Sequence, residues 1–422
     1  MNQPTVKADP SCMDDYDPDS LLADDAIRRI CDQVAPVEGV EKVAIRSALQ
    51  RILATDLHST IDVPGQTNSA MDGYALQSGD LPDDGSRTLK VVGTAWAGRP
   101  FEGAPGPAEC VRIMTGAPMP AKMDTVVMQE HASRDGDFIR IDARHKPGQN
   151  VRAAGEDIAA GECVLPVGKR ITPADLGLMA SLGIGEIRVR RRIRAAFFST
   201  GDELRSIGEP LASGMIYDSN RYTLYGMLAR LGADILDMGV IPDRREDTFK
   251  AFRDAAGCAD VLITSGGVSV GDADFVKEAL DATGRVEFWK VAMKPGRPLA
   301  FGSVGDALFF GLPGNPVSVM VTFYLFVQPA LRRLMGELAQ APLLLKARSE
   351  SRLRKKAGRT EYQRGVLMDD TNGDLVVKKT GPQGSGILTS MSEANCFVIL
   401  PLEAESVEPG DIVTVLPFSE IA

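Results

Sequence analysis

Histidine is scarce in this chain: His58, His131 and His145 are the only three. The six cysteines, at positions 12, 31, 110, 163, 258 and 396, include no Cys-x-x-Cys pair. That spacing excludes the usual zinc frame and a disulfide framework, and it points to a reduced, cytoplasmic protein. No apolar run approaches the ~20 residues of a membrane span. The N-terminus lacks the basic-then-apolar order of a secretory signal. Positive charge is in deficit, with 47 Lys and Arg against 57 Asp and Glu. Nucleic-acid binders normally show a basic footprint, so that class is excluded. Small anions remain possible ligands, because a local group of Lys and Arg can hold them in an acidic protein.

What is present is ordinary globular composition, 44% hydrophobic and 25% charged over 422 residues, enough for about two to four domains. Residues 1–19 carry Asp9, Asp14, Asp15, Asp17 and Asp19 against Lys7 alone and read as a disordered acidic leader. Leu22, Ala26, Ile30 and Val34 recur at helical spacing, and Ile45 to Leu53 reads as a second short helix. Residues 61–150, rich in Gly, Pro and short β-type runs, predict an inserted β-rich lobe. This lobe divides an N-terminal helical/β domain, residues 20–60 and 151–190. In the second half of that domain Thr172, Pro173, Asp175 and Gly183 mark a capped helix. From 191 to 338 strand and helix alternate, which predicts a doubly wound, mostly parallel α/β domain. Residues 339–422 show no convincing helix and read as a small β-barrel. The fold class is therefore multidomain α/β plus β. The run Arg188 to Arg194 reads as a solvated strand edge.

The α/β region carries the chemistry. Ligands bind at the carboxyl ends of parallel strands, and four loops there share a character. The stretch TSGGVSVGDAD offers Thr264, Ser265, Gly266, Gly267 and Ser269 to an anion, with Asp272 and Asp274 as candidate metal ligands. STGDEL brings Thr200 and Glu203, GVIPDRRED brings Asp243, and GLPGNPVS brings Asn315, which is placed to cap the following helix. Oxygen ligands alone suit Mg2+ over zinc. Lys290, Lys294 and Arg297 form a basic wall. Gly267 to Gly271 also matches the nucleophile elbow of α/β-hydrolases, but all three histidines precede Ser269, and that fold needs its histidine after the serine. The histidines are read as surface or structural.

NSAMDGYA, RIMTGAPMP, GEDI, STGDEL, IYDSNRY, TSGGVSVGDADF, KPGRPLAF, GLPGNPVSV and EYQRG follow one another in this order. From about residue 20 to its end the chain resembles the molybdopterin molybdenumtransferases, molybdenum-insertion enzymes homologous to the gephyrin E domain. The resemblance implies an elongated homodimer that converts adenylyl-molybdopterin and molybdate to molybdenum cofactor and AMP with Mg2+. It implies a molybdopterin adenylyltransferase as upstream partner. Its functional acids fall on Asp72, Asp157, Glu203, Asp243 and Asp274, of which Glu203, Asp243 and Asp274 are the metal candidates. Its other site positions fall on Thr115, Lys290, Lys294, Pro313, Pro316, Arg364 and Ser385. Two alternatives are the related adenylyltransferase, which the additional N-terminal and C-terminal lobes oppose, and a non-catalytic scaffold, which the retained acids oppose.

Overall fold

The structure is a computed structural model that describes residues 20–266 and 275–420. Gly267, Ser269, Asp272 and Asp274 lie outside the described residues. The chain forms two compact units, one of Lys42–Leu49 with Leu53–Arg188, the other of residues 1–41, 50–52 and 189–422.

The smaller unit is built on a six-stranded sheet of β1 (Gly73–Leu76), β2 (Ser86–Ala95), β3 (Glu109–Ile113), β4 (Thr125–Met128), β5 (Ser133–Asp135) and β6 (Phe138–Asp142), in the order β4-β1-β3-β2-β6-β5. Side chains alternate across a strand, and both faces here are covered. Tyr74 and Leu76 enter one apolar cluster with Leu89 and Ile139, while Ala75 enters another with Val111 and Val126. Helix α1 (Pro173–Ser181) starts as its sequence requires. Thr172 Oγ1 accepts from the Asp175 N–H, and Asp175 Oδ2 accepts from the Thr172 N–H at 2.8 Å. Gly183 follows with φ +71°. The helix expected over Ile45 to Leu53 is one 3-10 turn, Ile45–Ser47. Gln50 takes φ +61°, a left-handed conformation that ends any helix.

The larger unit contains the expected doubly wound sheet. Its strands are β7 (Arg194–Thr200), β8 (Asp234–Ile241), β9 (Val261–Ser265), β10 (Gly284–Lys290), β11 (Pro298–Val304) and β12 (Ala307–Leu312), in the order β8-β7-β9-β12-β11-β10. The first four in that order are parallel. The last two run antiparallel to their neighbours, because only Gly305 and Asp306 separate β11 from β12 and so short a turn cannot make a crossover. Helices α2 (Ser219–Leu231), α3 (Arg245–Ala256) and α4 (Phe275–Thr283) connect the strands. Phe197 and Ile263 meet Leu224 and Leu228 of α2 on one face. Phe198 and Leu262 meet Phe252 of α3 and Leu280 of α4 on the other. The final helix begins as α5 (Pro316–Thr322) and continues through a π-helical segment, Phe323–Val327, to Leu334.

The arginine run is not merely solvated. Arg191 makes a two-pronged bond to Asp260 at 2.6 and 2.8 Å, Arg194 approaches the same carboxylate, and Arg192 donates to the Gly232 carbonyl. The run therefore fastens the start of β7 to its neighbours.

The C-terminal strands β13 (Leu345–Ser349), β14 (Thr360–Asp369), β15 (Leu375–Lys379), β16 (Cys396–Leu400) and β17 (Ile412–Pro417) close into a five-stranded barrel through β14–β16 pairing. One short helix that the sequence did not suggest, Thr389–Glu393, follows β15; five residues are too few to show a period. Tyr324 and Phe397 belong to the same apolar cluster as the α/β sheet. Phe397 is fully buried and meets Phe418 at 4.8 Å between ring centres. Phe397→Ala is expected to destabilise the unit by about 3–5 kcal/mol, measured by urea unfolding. A loss under about 1 kcal/mol would show that the barrel and the α/β core do not share that packing.

Candidate functional site

In the smaller unit, two of the residues named from sequence meet. Gly73 of β1 pairs with Ile113 of β3, so Asp72 and Thr115 lie just beyond one end of that pairing. Thr115 donates to Asp72 Oδ1 from both its N–H (2.7 Å) and its hydroxyl (2.8 Å). The backbone bond from Thr115 is the main reason the Asp72 carboxyl is held below the ordinary range, with the hydroxyl bond adding to it and Arg112 helping. Asn68–Ser69 pairs with Val151–Arg152, and the turn after that ribbon carries Asp157, whose N–H donates to the Val63 carbonyl. Asp157 is exposed, and no bond joins its carboxylate to Asp72 among the described residues.

In the larger unit, the chain passes from β7 to β8 on one side and then crosses to β9 on the other. A crevice opens at such a switch point. It has a volume of about 590 Å³ and is lined among others by Thr200, Glu203, Asp218, Asn220, Ser265 and Asn315, within the range of small-molecule sites. Gly266 makes this closeness possible. It takes φ +90°, and a Cβ there would stand 2.7 Å from the Thr200 carbonyl. Gly201 is favoured for a different reason, its φ of +146°, since the Glu203 carboxylate near it can swing aside.

Asn220 ties the rim together. Its Nδ2 donates to Ser265 Oγ at 2.8 Å and to the Gly314 carbonyl at 2.7 Å, joining the loops after β9 and β12. Asn220 lies in IYDSNRY, and no local pattern assigns it a role; the signal is the helix start there, where Asp218 accepts from the Arg221 N–H. Four buried atoms at this end of the sheet, Ser199 Oγ, Thr264 Oγ1, Asp218 Oδ2 and Asn220 Oδ1, have no hydrogen-bond partner among the described residues. Such atoms are costly unless something polar reaches them.

Asp243, after β8, lies beside this rim. Its N–H donates to Asp202 Oδ1 at 3.3 Å. Burial raises the Asp243 carboxyl above its ordinary value, and the negative charges of Asp202 and Glu203 raise it further. Glu203 and Asp243 are thus brought near each other.

The remaining residues are placed differently from one another. Pro316 lines the crevice and opens α5, and Pro313 is buried beside it. Asn315 occupies the capping position of α5 but its side chain makes no capping bond. The Val317 N–H is met instead by the Ser385 carbonyl from the barrel, at 3.0 Å, a long-range partner that local sequence does not show. Arg364 is 1% exposed, and burial pulls it down to about 10. Its guanidinium donates to Ser390 Oγ and to the Gly384 carbonyl, each at 3.0 Å. Here Arg364 fastens the loop whose Gly386 borders the crevice. Lys294 pairs with Glu361 at 3.6 Å, so part of the basic wall is already balanced. Lys290 ends β10.

Thr115→Val removes one of the two donors to Asp72. Because those donors favour the charged form, wild-type Asp72 stays ionised to lower pH than an ordinary aspartate (about 3.9), and any stability it contributes is lost as pH falls through that depressed value. The variant is expected to protonate at higher pH, nearer the ordinary value, as read by carboxyl 13C NMR. An unchanged titration would assign the whole depression to the backbone N–H.

Comparison with known proteins agrees along the chain. Residues 21–183 match the MoeA N-terminal region (domain I and II), residues 196–333 a probable molybdopterin binding domain, and residues 346–418 the MoeA C-terminal region (domain IV). A molybdopterin molybdenumtransferase of Haemophilus influenzae is 43% identical over 95% of this chain and 99% of its own length. That of Nostoc is 37% identical over 90% of this chain and 89% of its own. Gephyrin of Dictyostelium discoideum is 36% identical over 92% of this chain, which spans 61% of the gephyrin. The crystal structure of a molybdopterin biosynthesis MoeA protein from Pyrococcus horikoshii superposes with a TM-score of 0.82 at 27% identity, covering 94% of this chain and all of that one. By sequence over nearly its whole length and by fold, the chain belongs to the MoeA family of molybdopterin molybdenumtransferases.

Proposed function

We propose that this enzyme inserts molybdenum in molybdenum-cofactor biosynthesis, taking adenylyl-molybdopterin and molybdate to the molybdenum cofactor and AMP. The observation that carries this reading is the crevice at the ends of β7 and β9, whose unsatisfied buried oxygens and crowded carboxylates suit a polar, phosphate-bearing ligand with a cation. Both reactants are anions, so bringing them together requires positive charge aimed at the reacting groups. Lys290 and Lys294 are the side chains we assign to that task, with Glu361 orienting Lys294. Ser265, Thr200 and the Gly266 N–H are assigned to the substrate, and Asn220 holds Ser265 in place. Arg364 acts on the same ligands through the loop it fastens, and the Ser385 carbonyl orders the start of α5. Asp72, Thr115 and Asp157 are the family positions on the smaller unit.

The acids fit Mg2+. Burial, and after it the like charges of Asp202 and Glu203, raise the Asp243 carboxyl, and a divalent cation relieves such crowding. Glu203, Asp243 and Asp274 would hold it, Asp274 lying outside the described residues. When bound, the ion supplies Lewis-acid polarisation of the phosphate bridge. Glu203→Gln is expected to lower AMP formation roughly 10–100-fold, and Asp274→Asn to abolish it, in an assay of adenylyl-molybdopterin with molybdate and no ATP. Normal turnover by Asp274→Asn would remove that residue from the mechanism. An absolute requirement for ATP would favour adenylylation instead.

We further place the reaction in the cytoplasm, downstream of an adenylylating enzyme. The five described cysteines are free, which supports a reducing compartment, and no helix among the described residues is long and apolar enough to cross a membrane. A homodimer is supported by the apolar surface beside the crevice. Tyr222 and Tyr225, one turn apart on α2, are 44% and 52% exposed, and Ile207 and Ile216 are exposed nearby. Tyr225→Glu would bury a charge in that contact and is expected to shift the protein toward monomer in light scattering. An unaltered dimer would place the interface elsewhere.

A further inference from the structure

We propose that Asp56, His58 and Cys163 bind one divalent transition-metal ion, with Zn2+ the best fit. One ligand atom from each lies within 4.8 Å of the others, and among the described residues they are the only such trio. All three residues are exposed, so an ion reaches them directly from solvent. They belong to the smaller unit, whereas the crevice belongs to the larger one.

The backbone explains the meeting. Asp56 and His58 are two apart on an extended segment, so their side chains leave the same face. Leu57–His58 pairs antiparallel with Cys163–Leu165, and His58 stands opposite Cys163. The register shifts between Cys163 and Leu165, and a bulge of this kind re-aims the side chain beside it. Two backbone bonds hold the ribbon closed here, Ser59 N–H to Glu162 carbonyl and Gly161 N–H to Ser59 carbonyl, at 2.9 and 2.8 Å.

The surrounding bonds are those a metal site requires. His58 Nδ1 lies 3.2 Å from the Gly161 carbonyl. A hydrogen bond donated there fixes the tautomer whose Nε2 lone pair is available to a metal. Asp56 Oδ1 accepts from the Val167 N–H at 2.7 Å, which orients the carboxylate and leaves Oδ2 for the ion. Thiolate, imidazole and carboxylate together suit Zn2+, with water in the fourth tetrahedral position. Mg2+ prefers oxygen alone and does not fit. The missing Cys-x-x-Cys thus excluded only zinc sites built from neighbouring cysteines. This set draws its ligands from two distant segments that the ribbon pairs, and it gives His58 a role beyond that of a surface residue.

The test uses the full-length protein stripped with a chelator. Zn2+ binding is measured by competition with a chromophoric indicator, and Co2+ binding by absorption. Wild type is expected to take up one equivalent per chain, undisturbed by excess Mg2+, and its Co2+ form to show a thiolate charge-transfer band. Cys163→Ser and His58→Asn are each expected to weaken Zn2+ at least about tenfold, with unchanged circular dichroism. Cys258→Ser, at another exposed cysteine, is expected to change nothing. The proposal is overturned if wild type binds no Zn2+, if neither substitution weakens binding more than about threefold, or if the Co2+ band survives in Cys163→Ser.

Discussion

The approach of Gly266 to the Thr200 carbonyl is the constraint on which the crevice depends. Parallel strands β7 and β9 end side by side, and the backbone leaving β9 bends back over its neighbour with φ +90°. A side chain at that point would push the two strand ends apart. The glycine's flexibility costs conformational entropy, and here it yields a tight rim in which hydroxyl, amide and carboxylate groups face one space. Asn220 then locks the arrangement from α2 by bonding to both the β9 and β12 loops.

Electrostatics divide the larger unit into two kinds of charge. Asp260 is satisfied by Arg191 and Arg194 and serves the scaffold. Asp243 is pressed by burial and by the like charges of Asp202 and Glu203, and no scaffold cation relieves it in the bonds observed. Titratable groups strained in this way mark places where binding supplies what folding leaves out. The same contrast holds for the arginines. Arg191 and Arg194 pair with a carboxylate inside the fold, whereas Arg364 spends its guanidinium on a neutral hydroxyl and a carbonyl.

Much of this architecture was legible in the sequence because its cause is local. The Thr172–Asp175 capping pair, the Leu224–Leu228–Leu231 face of α2 and the alternation of β7, β8 and β9 with helices each follow from a few neighbouring residues. Residues of three of the polar segments read from sequence, Thr200, Ser265 and Asn315 among them, border one crevice. Features set by distant partners were not legible. Nothing near Asn315 announces that the Ser385 carbonyl, and not its own amide, meets the first helical N–H. The reversal of β11 depends on the two-residue turn that joins it to β12, a strand far along the chain from the parallel strands it borders. The sequence also cannot tell that Lys294 faces Glu361, or that Cys163 pairs with His58, since each depends on register between segments far apart in the chain.

The loop that carries Gly386 has a bearing on how this enzyme tolerates change. One wall of the crevice is anchored by the buried Arg364 guanidinium, on the barrel face it shares with Phe397, so the crevice's shape depends in part on strands outside the α/β sheet. Substitutions on that face of the barrel would therefore act on the crevice rim as well as on folding.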